Sequence, residues 1–162
     1  MKKIIFILAC IGGGFGWLHV LQKQNPKVIT DPVYGEVRIQ GNSPGGTFEM
    51  AMFAQAADQE DCRRGVRMLE GILTPQVQDT CPTCAVTKSE CKPELAPRYA
   101  KLFADEPTSV TYVSFARGDA TERELRMVFW GVTAAESTRL CEALLPNFQK
   151  THKGAVKCIY PE

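Results

Sequence analysis

Three cysteines lie within the thirteen-residue segment DTCPTCAVTKSEC, and two of them, Cys81 and Cys84, form a Cys-x-x-Cys pair. This spacing suits three kinds of chemistry: thiol–disulfide exchange, half of a tetrahedral metal site, or a structural disulfide. Thiols stay reduced in the cytosol and pair in oxidising compartments. The chemistry of this segment therefore depends on the compartment in which it folds.

The N-terminus indicates that compartment. Two lysines are followed by eighteen residues, 4–21, that carry no formal charge, and an apolar helix crosses a bilayer with about 17 to 25 residues. The positive-inside bias places the N-terminus in the cytoplasm, and no small-residue cleavage site follows the apolar run. We predict an uncleaved signal anchor at residues 1–23 in the inner membrane of a bacterium, with the C-terminal domain in the periplasm. Secretion after signal cleavage is the alternative.

The chain divides into this anchor and two further regions. Within the anchor, Gly12 and Gly16 have the G-x-x-x-G spacing that lets two transmembrane helices approach closely, and we predict that they form a packing contact. Residues 24–46 are rich in proline and glycine, which predicts a linker or an edge hairpin. Residues 47–162 have the length of one extracytoplasmic domain.

Charge and histidine content narrow the classes of function. The chain has 19 lysines and arginines, three of which precede residue 24, against 18 acidic residues, and it has no basic cluster. Nucleic acid is therefore a poor partner. His152 is the only histidine beyond the anchor, so Ser-His-Asp and Cys-His catalysis lack a general base. We predict no catalytic residue, no cofactor and no metal site.

An even number of cysteines in an exported domain predicts a disulfide framework. Six follow the anchor: Cys62, Cys81, Cys84, Cys91, Cys141 and Cys158. A redox-active Cys-x-x-Cys needs a helix N-terminus, where the dipole lowers the pKa of the first thiol, whereas residues 73–80, LTPQVQDT, predict a polar, proline-broken loop. We therefore favour structural bridges over a zinc site. A thiol–disulfide oxidoreductase that uses Cys81 and Cys84 is the alternative function.

Hydrophobic periodicity and caps predict the surrounding elements. These are a strand from residue 47, a helix capped by Asp58, a cysteine loop at 74–94, a short helix at 93–105, strands at 108–118 and 124–132, a helix opened by a Thr133/Glu136 capping box, and a strand at 155–161. Their order predicts an α+β fold with a ferredoxin-like βαββαβ arrangement and a disulfide-stapled loop/helix insertion. Right-handed crossovers place both main helices on one face of the sheet.

This arrangement predicts one disulfide by length. Cys141 lies about 13 Å before the end of its helix, and Cys158 lies about 13 Å along the returning strand. The two cysteines are therefore level, and we predict a Cys141–Cys158 bridge. Cys62 is then expected to pair with one of the three cysteines of the loop, and the remaining two with each other.

The second face of the predicted sheet carries the candidate interface. Val113 and Phe115 share one side of the strand at 108–118, and Arg126, Val128 and Trp130 share one side of the next strand. Alternation alone leaves open which side is buried, and residues 24–46 or the short helix would compete for the open side. We expect a non-enzymatic interaction module of a cell-envelope assembly that self-associates or binds a protein partner.

Overall fold

The computed structural model describes residues 27–43 and 46–162. The predicted anchor at residues 1–23, with Gly12 and Gly16, lies outside these ranges. Within the described part of the chain, no helix combines the length and the apolar character that a bilayer crossing requires.

The described chain forms one six-stranded sheet and three helices. In chain order the elements are β1 (Val33–Ser43), β2 (Gly46–Ala56), α1 (Gln59–Thr80), β3 (Ala85–Lys92), α2 (Pro97–Phe103), β4 (Tyr112–Phe115), β5 (Leu125–Trp130), α3 (Ala134–Thr151) and β6 (Val156–Ile159). The strand order across the sheet is β3-β1-β2-β5-β4-β6, and each neighbouring pair is antiparallel. The predicted α+β class is confirmed, with six strands in place of four.

Most of the predicted linker or edge hairpin at residues 24–46 is strand, because residues 33–43 form β1, one arm of the β1–β2 hairpin, in the interior of the sheet. This strand pairs with β2 from Val33↔Ala56 to Ser43↔Gly46, and its other edge pairs with β3. The domain therefore begins before residue 47. The sequence did not predict an interior strand here, because the charged residues on one face of β1 are typical of an exposed segment.

The position of β1 also explains why the ferredoxin-like arrangement is wrong. That arrangement places the last strand beside the first strand of the motif, which here is β2. One edge of β2 is already paired with β1 and the other with β5. The last strand, β6, therefore pairs with β4 at the far edge of the sheet.

The predicted cysteine loop is mostly regular structure. Helix α1 continues to Thr80, and β3 begins at Ala85, so only a short turn separates them. A long irregular loop is unfavourable in a compact domain. Here most of the segment is helix or strand, so its backbone groups form regular hydrogen bonds. The predicted short helix is confirmed as α2, which starts with Pro97 in its first turn.

Helices α1 and α3 pack on the same face of the sheet, as predicted, and enclose the larger core. Their buried residues are Cys62, Val66, Leu69 and Leu73 of α1 and Leu140, Cys141, Leu144 and Phe148 of α3. Both predicted caps are confirmed. The Asp58 carboxylate accepts the Asp61 backbone N–H at 2.8 Å, and Thr133 and Glu136 form the capping box.

Three disulfides brace this architecture. Cys141–Cys158 joins α3 to β6 as predicted, with the two Cα atoms 6.0 Å apart. Cys62 in the first turns of α1 pairs with Cys91 of β3, and Cys81 pairs with Cys84 in the turn between these elements. Each bridge thus connects or closes a junction between a helix and a strand.

Candidate interaction surface

Two of the predicted interface residues belong to the larger core. Val113 and Phe115 are both 0% exposed, and the Phe115 ring lies 5.0 Å from the ring of Phe148 on α3. Their side of β4 is the side that the helices cover. The prediction that these two residues form an interface is therefore wrong, because both pack inside the larger core.

The other three predicted residues lie on the second face of the sheet, where α2 packs. Arg126 and Val128 are each 1% exposed, and only Trp130 at the end of β5 keeps partial exposure. The smaller core on this face includes Leu102 of α2 and Phe53 of β2. The short helix thus covers most of the face that the alternation left open.

Arg126 fastens α2 to the sheet. Its guanidinium donates hydrogen bonds to the Leu102 carbonyl at 2.7 Å and to the Phe115 carbonyl at 2.9 Å, and it lies 4.7 Å from the centre of the Phe103 ring. Burial lowers the pKa of Arg126, although the negative charges of Asp105 and Glu124 oppose this shift. Because these contacts satisfy the last carbonyls of α2, Arg126 is a structural residue.

A groove remains open between α2 and residues 108–110. It is lined by Arg98, Tyr99, Val128 and Trp130, among other residues. We call it the Trp130 groove. It combines a partly exposed tryptophan, a tyrosine and an arginine, which are the residue types that contribute most to binding energy at protein interfaces.

Arg38 of β1 holds the aromatic rings of this groove in place. Its guanidinium lies 5.4 Å from the ring centres of both Tyr99 and Trp130, and it donates a 2.6 Å hydrogen bond to the Tyr99 hydroxyl. Burial would lower the pKa of Arg38, but the bonds to Tyr99 and Glu36 outweigh burial and raise it. The charge of Arg38 is therefore permanent, and the groove is preformed.

The polar network around Arg38 was not predicted. Glu36 is 2% exposed and accepts hydrogen bonds from Arg38 at 2.5 Å and from Lys88 of β3 at 2.9 Å. The signal in the sequence is the alternation of charged Glu36 and Arg38 with apolar Val37 and Ile39. That pattern indicates a half-exposed strand, and only the packing of α2 over this face shows that it is largely buried.

The Cys81–Cys84 bridge lies at the C-terminal end of α1, since Cys81 directly follows Thr80. The two cysteines are 2% and 6% exposed. In the same turn, the Thr83 hydroxyl donates a 2.8 Å hydrogen bond to the Asn42 carbonyl near the β1–β2 hairpin tip. A helix C-terminus disfavours a thiolate because its partial charge is negative, so this placement suits a structural bridge.

The cysteines considered for a zinc site are paired with one another, as Cys62–Cys91 and Cys81–Cys84. Across residues 27–43 and 46–162, no group of three or more metal-ligating side chains comes together. Comparison with known protein families, characterised proteins and solved structures found no match to this chain. We therefore infer function from the Trp130 groove and the disulfide framework.

Proposed function

We propose that this protein is a non-enzymatic interaction module of a bacterial cell-envelope assembly. In this proposal residues 1–23 anchor the chain in the inner membrane, and the disulfide-braced α+β domain binds a protein partner in the periplasm. The observation that carries the proposal is the preformed Trp130 groove on a domain whose described cysteines are all paired.

The disulfides support the proposed compartment. Three bridges in one small domain are typical of proteins that mature in an oxidising space, because cytosolic reductants keep thiols unpaired. The apolar run at residues 4–21 supplies an export signal for that route.

The groove supports binding in preference to catalysis. Its rings are held by Arg38, which donates to Tyr99 and to the carboxylate of Glu49, each at 2.6 Å. A rigid aromatic site loses little conformational entropy when a partner docks, so more of the contact energy appears as affinity. The groove residues include Arg98 and Tyr99 but no nucleophile beside a general base.

The experiment is a Trp130→Ala substitution in the full-length membrane protein. We expect a cooperative unfolding transition close to that of the wild type and weaker association, seen as a smaller native mass and loss of specifically co-purifying proteins. Trp130→Phe should retain most of the association, because it keeps a ring beside Arg38. Tyr160→Ala is the matched control, since Tyr160 is an exposed aromatic residue at 43% outside the groove.

The position of Cys81 and Cys84 does not favour the alternative function, a thiol–disulfide oxidoreductase. Cys81 and Cys84 are buried at a helix C-terminus, whereas a reactive pair needs access and a depressed thiol pKa. Redox titration separates the two functions, because a structural bridge stays oxidised in a glutathione buffer at about −200 mV, whereas a catalytic bridge exchanges with the buffer. Exchange of Cys81–Cys84 with glutathione under those conditions would favour the oxidoreductase.

A further inference from the structure

Strand β3 presents a free edge to solvent in the described part of the chain. It is the terminal strand of the sheet, with β1 on its inner side, and its eight residues make it longer than β6 at the opposite edge. No other described strand pairs with its outer edge, so the outer backbone groups of β3 are open to pairing with another strand.

Charged side chains of alternating sign line this edge on the α2 face of the sheet. Lys88, Glu90 and Lys92 lie opposite Arg38, Glu36 and Tyr34 of β1, respectively. Their side chains are 33%, 35% and 41% exposed, and Glu90 contacts both lysines within its own chain. Each side chain therefore keeps some exposed surface, although the Glu90 Oε1 atom that contacts the lysines is buried.

Charge order and overlap together favour one register between two copies of this strand. In an antiparallel pair centred on Ser89, Lys88 of each copy lies opposite Glu90 of the other, so two attractive pairs form. Centring the pair on Lys88 or on Glu90 places a like-charged pair at the axis. Centring it on Cys91 also sets Glu90 opposite Lys92, but then only residues 90–92 of β3 overlap. Because residues opposite each other must share a face, the intermediate registers are excluded. Charged edge strands usually resist pairing, but this edge complements itself.

We propose that this chain forms a twofold homodimer through β3, with Ser89 at the axis, which joins two six-stranded sheets into one continuous sheet. This inference goes beyond the proposed function, because the edge lies apart from the Trp130 groove and needs no partner in it. The dimer would satisfy outer backbone groups on the regular part of β3, from Lys88 to Lys92, because the register of β3 with β1 shifts between Lys88 and Val86. Its register would be set by the Lys88–Glu90 pairs between copies.

Cysteine cross-linking of the full-length protein in membranes tests the register. Ser89→Cys should yield a covalent dimer on mild oxidation, because opposed Cβ atoms lie about 5 Å apart in an antiparallel pair. Thr87→Cys is the matched control on the same strand, since its two copies would be about 13 Å apart. Peptide mapping must show an 89–89 linkage with Cys62–Cys91 retained. Absence of that linkage, or equal cross-linking of Thr87→Cys, overturns the proposal.

A charge exchange between two chains tests the same contact without a new cysteine. Lys88→Glu alone and Glu90→Lys alone each set like charges opposite each other, and we expect about a tenfold or greater loss of self-association. A mixture of the two variants restores both attractive pairs and should restore the dimer. If the mixture associates no better than either folded variant, the proposal fails. Trp130→Ala should leave the Ser89→Cys cross-link unchanged, which separates this proposal from the proposed function.

Discussion

Arg123 and Asp61 form a buried ion pair across 62 residues of sequence. The guanidinium donates to both carboxylate oxygens, at 2.6 and 2.5 Å, and the two residues are 6% and 2% exposed. The pair joins the loop between β4 and β5 to the first turn of α1. Burial would raise the pKa of Asp61, but the hydrogen bonds and positive charge of Arg123, together with hydrogen bonds from the Ala57 N–H and Arg64, outweigh burial and lower that pKa.

Breaking this pair from one side should be costly. We expect Arg123→Met to lower the free energy of unfolding by about 3–5 kcal/mol, because it leaves a buried carboxylate without its main partner. Combining it with Asp61→Asn should cost less than the sum of the two single changes. Urea unfolding of the four proteins measures this coupling. Arg64→Met is the control, since Arg64 bonds the same carboxylate at 3.1 Å but is 37% exposed, and a loss equal to that of Arg123→Met would contradict the prediction.

The three disulfides should contribute unequally to stability. Their sequence separations are 29 for Cys62–Cys91, 17 for Cys141–Cys158 and 3 for Cys81–Cys84. From the entropy of the closed loop, paired substitution by alanine should cost about 3.5, 3 and 1.5 kcal/mol, respectively. Denaturant unfolding of the three double variants gives the order. A loss for Cys81–Cys84 as large as that for Cys62–Cys91 would show that its packing outweighs loop closure.

Acid should weaken the β3 side of the sheet through Glu90. The ammonium groups of Lys88 and Lys92, 2.7 and 2.5 Å from the Glu90 carboxylate, lower the pKa of Glu90 to about 2, from a usual value of 4.5. A carboxyl with a lowered pKa stabilises the fold fully above its unfolded value, and this contribution is lost as the pH falls from about 4.5 towards 2. Urea midpoints across that range should therefore fall less steeply for Glu90→Gln than for the wild type. Parallel curves would contradict the assignment.

Substitution of two glycines by alanine should change the stability of the fold in opposite directions. Gly131 follows β5 with φ +69°, and a methyl group there would collide with the Thr47 carbonyl oxygen. We expect Gly131→Ala to destabilise the fold by about 1–3 kcal/mol. Gly71 lies in α1 with open space where the methyl group of an alanine would lie, so Gly71→Ala should stabilise the helix by about 0.5–1 kcal/mol. Thermal unfolding of both variants tests the contrast, and a shift of the same sign in both would refute it.

Local signals were sufficient for the starts of two helices and for one disulfide. Asp58 and the Thr133/Glu136 pair cap their helices as predicted, because a cap depends on groups only three residues apart. The Cys141–Cys158 bridge was predictable for a similar reason, since a helix and the strand that follows it have known rises per residue.

The candidate site was predicted only in part. Trp130 lies in the groove, but Val113 and Phe115 are buried in the larger core, and Arg38 was not expected to hold the aromatic rings. Alternation assigns residues to two faces without identifying the face that a distant helix will cover. Helix α2 covers the face of Arg126 and Val128. Leu102 of α2 packs on that face, and its carbonyl accepts a hydrogen bond from Arg126.

The sequence by itself determined that the six cysteines pair as disulfides, where two helices begin, and which residues alternate between the two faces of the central strands. These features depend on composition and on neighbours within a few residues. Tertiary structure alone decided the strand order and the burial of each face. A strand edge accepts one partner, so the pairing of β1 with β2 displaced β6 to β4. Local sequence patterns do not predict which of two distant segments will pair with a given strand. The free energies of the alternative strand pairings differ only when the whole sheet is assembled.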